Sequence, residues 1–226
     1  MEIHLAATLR ASALSRTLGF NRDRPSRTDT VSSHDLRETL RREELGRLIV
    51  LVVDCSDSMG LQRRISATKG AALSFLSRSR VTGTRISVIG FRDDAAQVVV
   101  PPTGSSDRAR RALSGLSVGG ATPMAAGLEK ARELLEINRR LYPAMERVLV
   151  LLTDGEANVP LVKGGDVDKE LTLEARALDS ATDRFVVIHT GEKSIERMRT
   201  VALKAGGEYY HVDSIAGSDV TGIIGG

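Results

Sequence analysis

A chain of 226 residues is long enough for one α/β domain with an appendage, and 41% hydrophobic with 27% charged residues is an ordinary globular composition. A net charge of +3, from 32 basic and 29 acidic residues, is too balanced to argue for nucleic acid, and 3% aromatic content offers few stacking surfaces. One cysteine excludes an internal disulfide and agrees with a reducing cytoplasm. Residues 1–20 lack the apolar core of a secretory signal, and no apolar run nears the ~20 residues of a membrane helix. The expectation is a soluble cytoplasmic protein with no membrane partner.

Residues 1–47 stand apart as a leader or docking arm. IHLAATLRASAL is mildly apolar, 21–33 is a polar linker, and DLRETLRREELGR carries leucines at 36, 40 and 45. Nine arginines against seven acids make it no simple basic arm, and a solvated helix entering the first strand is the plainer alternative. The main domain is expected over 48–212, with a tail at 213–226. Residues 48–53, LIVLVV, suit a strand buried on both faces. Apolar residues at 61, 65, 72, 73 and 76 predict a helix over 61–77. Strands at 84–91 and 95–101, joined by Arg92-Asp93-Asp94, read as a hairpin ended by Pro101 and Pro102.

A short helix at 106–116 precedes a Gly119-Gly120 loop and a second helix with Pro123 as its first residue. Then follow a strand at 148–154, a loop at 158–169, a helix at 170–180 and a strand at 184–190. A helix at 194–205 closed by Gly206-Gly207 and a strand at 208–211 complete the pattern. Strands alternating with helices, plus one hairpin, predict a doubly wound, mostly parallel six-stranded α/β sheet. It has one antiparallel edge strand and helices on both faces, in the Rossmann-like manner.

Chemistry concentrates where the apolar runs stop. After residue 53 the chain reads Asp54-Cys55-Ser56-Asp57-Ser58, and a spacing of two lets Asp54, Ser56 and Ser58 converge on one side of a tight loop. Gly119-Gly120-Ala121-Thr122-Pro123 presents a hydroxyl ahead of a helix, and 148–153 ends in Asp154-Gly155-Glu156. Carboxylate and hydroxyl oxygens grouped at strand ends suit a small hard cation such as Mg²⁺. DxSxS alone also reads as a turn capping the next helix. The two companion loops outweigh that reading.

Catalytic constellations are missing from the sequence. His4, His34, His189 and His211 sit in unrelated places without metal-ligand spacing; His189, at a strand end, has a place near the site as one reading, and a structural role is the expected one. Cys55 has acids rather than a base beside it, and no GxSxG elbow or GxxxxGK[ST] phosphate loop occurs. The chain is therefore not expected to be catalytic by itself or to be an ATPase motor.

The trio DCSDSM, GGATPM and LLTDGEAN resembles the metal-ion-dependent adhesion site (MIDAS) of von Willebrand factor A, or integrin I-like, domains. Position by position, the resemblance implies Ser56, Ser58 and Thr122 as ligands, with Asp54 and Asp154 binding directly or through water. Mg²⁺ is the implied ion, or another hard divalent cation such as Mn²⁺ or Ca²⁺. Asp57 departs from the glycine that many members carry, and Cys55 replaces a small residue and is expected to point into the core. ATLRASAL, HDLRETLRREELGRLIVLVVD, RISATKGAALSFL, VIGFRDDAAQVVVPPT and GGATPMAAGL further resemble the C-terminal domain of the magnesium chelatase D subunit and its cobaltochelatase counterpart. That resemblance implies a metal-dependent protein-binding subunit of a magnesium or cobalt chelatase, an assembly that forms nitrogen–metal bonds in a tetrapyrrole. The implied partners are an AAA+ ATPase and a large metal-inserting subunit, reached through a partner Asp or Glu that completes the metal shell. A separate subunit and a portion of a longer D subunit both fit. The alternative is an A-domain adaptor for a MoxR-type AAA+ remodelling ATPase without tetrapyrrole chemistry.

Overall fold

Apolar residues on both sides of a strand demand cover on both faces, and β1 (Arg47–Asp54) receives it. In the computed structural model, which describes residues 46–56, 83–117 and 119–211, every residue of β1 after Arg47 is buried. The strands β2 (Arg85–Arg92), β3 (Ala95–Thr103), β4 (Glu146–Thr153), β5 (Arg184–His189) and β6 (Glu208–His211) join it in the order β3-β2-β1-β4-β5-β6. Only β2–β3 is antiparallel, so the six strands form the mixed sheet that the alternation of elements predicts. Residues 1–45 of the 1–47 leader, the expected helix at 61–77, Ser58, and residue 212 with the tail at 213–226 lie outside the described residues.

Alternation along the strands divides the core. Leu48, Val50 and Val52 of β1, with Leu149 and Leu151 of β4, face one layer. There they meet three helices: α2 (Met124–Leu141), α3 (Val167–Ala181) and α4 (Ile195–Lys204). Ile49, Leu51 and Val53, with Val148, Val150 and Leu152, face the other side. That side is covered by Ala109 and Leu113 of α1 (Ser106–Gly115). Helices thus lie on both faces, and period-2 alternation within wholly apolar strands serves both layers at once.

Local chemistry moves several boundaries. β3 continues through Pro101 and Pro102 to Thr103, where the sequence suggested a stop. The register against β2 shifts between the pairs Val88–Val100 and Ile86–Thr103 and skips both prolines, so their missing N–H groups fall at an irregularity of an edge strand. Pro123 precedes the first turn of α2 as its N-cap instead of occupying it. α3 begins at Val167, ahead of the expected residue 170, because the Asp166 carboxylate accepts from the N–H groups of Asp168 and Lys169, each at 3.1 Å.

The contact that docks α2, and with it the loop in front of it, is glycine against aromatic. A Cβ on Gly127 would stand 2.6 Å from the ring of Phe91, which is fully buried at the end of β2. Alanine normally favours a helix over glycine by about 1 kcal/mol. At this position we expect Gly127→Ala to destabilise the chain by about 1–3 kcal/mol, through overpacking, in a denaturant titration.

Candidate metal site at the end of the sheet

Strand order fixes where the carboxylates emerge. The chain steps from β1 to β2 on one side and places β4 on the other, so the sheet reverses direction between β1 and β4. The carboxyl ends of two parallel strands flanking such a reversal form the customary ligand crevice of an open α/β sheet. Pairing of Val53 with Leu152 brings Asp54 level with Thr153, and Asp154 follows at once. Asp54, Ser56, Thr122 and Asp154 are all buried polar residues, at 2%, 3%, 2% and 7% exposure. Ser58, the remaining predicted ligand, lies outside the described residues.

Each loop is held by specific hydrogen bonds. The Asp54 carboxylate accepts from the Ser56 N–H at 3.0 Å through Oδ1 and from the Thr153 hydroxyl at 2.8 Å through Oδ2. That same Thr153 oxygen accepts from the Gly155 N–H at 3.0 Å, so one hydroxyl ties the ends of β1 and β4 together. Asp154 Oδ1 accepts from the Glu156 N–H at 3.0 Å, closing a tight turn. The Thr122 loop is pinned on three sides. Gly119 N–H donates to the Cys55 carbonyl at 2.8 Å and Asp93 N–H to the Ala121 carbonyl at 2.9 Å. Asn158 Oδ1 accepts from the Thr122 N–H at 2.7 Å, and the Asn158 N–H donates back to the Thr122 carbonyl at 3.2 Å. Those bonds use the backbone of Thr122 and leave its hydroxyl oxygen for a ligand. Cys55 is buried on the α1 side of the sheet, as expected for a residue one step out of phase with Asp54.

Several of these residues were not singled out from the sequence. Thr153 and Asn158 sit inside the LLTDGEAN stretch, where a hydroxyl and an amide beside an acid were the available signals. The histidines require a correction. His189 and His211 are not in unrelated places: register pairing of β5 with β6 sets them side by side, rings edge to face at 5.5 Å. His189 is fully buried, with Nε2 2.8 Å from the Asp154 carbonyl oxygen and Nδ1 2.9 Å from the Tyr209 hydroxyl. Burial pushes its pKa down, overriding the carbonyls of Asp154 and Lys193, which favour the charged ring. The Arg92–Asp94 link is a polar turn as expected, and its Asp93 also braces the Thr122 loop.

Burial and a neighbouring acid set the protonation of Asp54. Burial raises the Asp54 carboxyl from 3.8 to about 6, against hydrogen bonds from the Ser56 hydroxyl and N–H and from Thr153; the charge of Asp154 raises it further. Among the described residues, no three His, Cys, Asp or Glu side chains gather as a metal cluster. The donors assembled here are instead two carboxylates and two hydroxyls, an oxygen-only set whose chemistry fits a hard divalent cation.

Residues 49–156 match the family model of the von Willebrand factor type A domain, and with the six-stranded fold this shows that the chain carries a domain of that class. More particularly, its sequence is similar to magnesium-chelatase subunits. It is 32% identical over 194 residues to the magnesium-chelatase 67 kDa subunit of Chlorobaculum parvum, covering 80% of this chain and 31% of that protein. It is 34% identical over 197 residues to the magnesium-chelatase 60 kDa subunit of Rhodobacter capsulatus, covering 84% and 34%. The chain thus spans about a third of the length of these relatives. Among solved structures, proximal thread matrix protein 1 from the mussel byssus, with a zinc-occupied MIDAS motif, shares the fold. The TM-score is 0.58 at 21% identity, covering 80% of this chain and 46% of that one. Among the described residues, no helix is long and apolar enough to cross a membrane.

The raised carboxyl sets a sign for pH dependence. Between 3.8 and about 6 the metal-free folded chain holds a proton on Asp54 that the unfolded chain releases. Stability of the metal-free chain therefore falls as pH rises through that window, by about 3 kcal/mol for this group. Thermal midpoints in chelator should show the slope, and Asp54→Asn should flatten it. Mg²⁺ competes with the proton, so its added stabilisation should grow as pH rises toward about 6 and level off above it.

Proposed function

We propose that Asp54, Ser56, Ser58, Thr122 and Asp154 form a MIDAS-type site for Mg²⁺ or a similar hard divalent cation, through which this domain binds a carboxylate of a protein partner. The observation that carries the reading is the burial of Asp54, Ser56, Thr122 and Asp154 on loops hydrogen-bonded to one another at the carboxyl ends of β1 and β4. A bound cation supplies an electrophilic coordination position that an Asp or Glu side chain can fill. The chain's own residues do the rest. Ser56 and Thr122 offer neutral oxygens, Thr153 and the loop N–H groups hold the carboxylates in place, and Asn158 keeps the Thr122 loop against the site. Neutral hydroxyl ligands leave more charge on the ion than carboxylates would, which favours an anionic partner group.

Similarity to the chelatase subunits supports a place in a metal chelatase assembly, as a non-catalytic binding subunit or portion of one. The partners proposed are an AAA+ ATPase subunit and a large subunit that inserts magnesium or cobalt into a tetrapyrrole. The cytoplasm is the proposed compartment.

The test is an affinity pull-down from the native host with and without Mg²⁺, read by mass spectrometry. Mg²⁺-dependent recovery of an AAA+ ATPase together with a large chelatase subunit is the expected outcome. Asp54→Ala and Ser56→Ala should each abolish that recovery while circular dichroism shows the fold intact. Equal recovery by either folded variant would refute the metal-dependent reading, and an ATPase recovered alone would argue against the chelatase assembly.

A further inference from the structure

Part of the site's support comes from a strand that contributes no candidate ligand. Asp154 leaves β4 into a turn in which Gly155 has φ +85°, and a Cβ on Gly155 would stand 2.6 Å from His189 Nε2. The imidazole therefore lies directly against this turn. Its Nε2 faces the Asp154 carbonyl oxygen at 2.8 Å, and a carbonyl only accepts, so Nε2 carries the proton. In a neutral ring Nδ1 is then an acceptor, and the Tyr209 hydroxyl at 2.9 Å donates to it. The direction of the chain is thereby fixed: Tyr209 O–H to His189 Nδ1, and His189 Nε2–H to the Asp154 carbonyl.

The neighbours leave this chain little freedom. Arg199 of α4 lies over the Tyr209 ring, 5.5 Å from its centroid. His211 packs edge-on against His189 and binds the Gly191 carbonyl through Nε2 at 2.8 Å. Gly191 itself approaches the Asp154 carbonyl so closely that a Cβ would stand 2.0 Å away. Thr190 donates to the Thr153 carbonyl from its N–H at 2.9 Å and from its hydroxyl at 3.2 Å. The peptides on both sides of Asp154 are thus held from β5 and the residues that follow it.

We propose that His189, backed by Tyr209, is a positioning residue for the metal site, setting the orientation of Asp154 through its backbone carbonyl. The inference rests on the metal-binding reading above. Partners one step removed from a metal ligand typically change metal affinity by about 10–100-fold when removed. His189→Phe keeps a ring of similar size but has no donor for the carbonyl. In His189→Gln the side-chain amide N–H takes the place of Nε2–H, and Tyr209→Phe removes only the hydroxyl that holds the tautomer.

The test uses Mn²⁺ alone as probe, its dissociation constant measured by electron paramagnetic resonance on the 226-residue chain. Imidazole ¹⁵N NMR reads the tautomer, and thermal unfolding in chelator reads the fold. The expected result is an Nε2–H tautomer in the unaltered chain and Mn²⁺ binding about tenfold weaker in His189→Phe. Binding in His189→Gln should return to within about threefold, and Tyr209→Phe should weaken it by a smaller factor than His189→Phe. A merely structural histidine would lower the unfolding midpoint of both His189 variants without separating their affinities. Unchanged Mn²⁺ affinity in folded His189→Phe, or an Nδ1–H tautomer, overturns the proposal. Should His189→Phe fail to fold, unchanged affinity in Tyr209→Phe with no rescue in His189→Gln overturns it equally. An unaltered chain that shows the Nε2–H tautomer yet binds no Mn²⁺ refutes the metal reading itself, and the positioning role with it.

Discussion

Two carboxylates carried to one end of one sheet, and buried there, are the constraint around which the neighbouring structure is arranged. Burial alone drives the Asp54 carboxyl toward its neutral form, and the charge of Asp154 adds to the effect. A protein that only needed a stable core would fill this position with an apolar residue, because a buried charge without a partner is costly. Instead, Thr153, the Ser56 N–H and the Glu156 N–H all direct donors at the two acids. Those donors hold the two side chains in fixed orientations at the end of the sheet.

Support for that pair is distributed over most of the sheet. β1 and β4 supply the acids, and the β2–β3 turn and Asn158 brace the loop that carries Thr122. On the other side, β5 and β6 hold the Asp154 turn through Thr190, His189 and Tyr209. Central apolar strands make this possible. Each contributes side chains to both layers, so the sheet is anchored above and below, and its carboxyl end is free to carry polar loops. Phe91 shows how closely the two tasks interlock. Its ring packs against Gly127 in α2, while its carbonyl accepts from the Cys55 N–H at 3.0 Å just before Ser56.

Departures from the sequence-based expectation share one cause: local signals were read without their tertiary neighbours. Pro101 and Pro102 are strand terminators in general, yet β3 carries them at a shift in its register against β2, where neither is paired. Asp166 looked like loop, but as a cap it starts α3 early. The histidines looked scattered because His189 and His211 are far apart in sequence, and only the parallel pairing of β5 with β6 brings the rings together.

Fold class and four described members of the candidate site were legible along the chain. Apolar runs with abrupt polar ends are a one-dimensional signal, and the candidate residues follow those ends directly in Asp54-Cys55-Ser56 and in Thr153-Asp154. Thr122 was legible for a related reason, as the lone hydroxyl between a glycine pair and a helix start. Which residues hold those candidates in place follows from the fold. Thr153 reaches Asp54 across 99 positions of sequence, Asn158 reaches Thr122 across 36, and His189 reaches Asp154 across 35. Such partners follow no periodicity or motif spacing, because strand order and register, not proximity along the chain, place them beside the site.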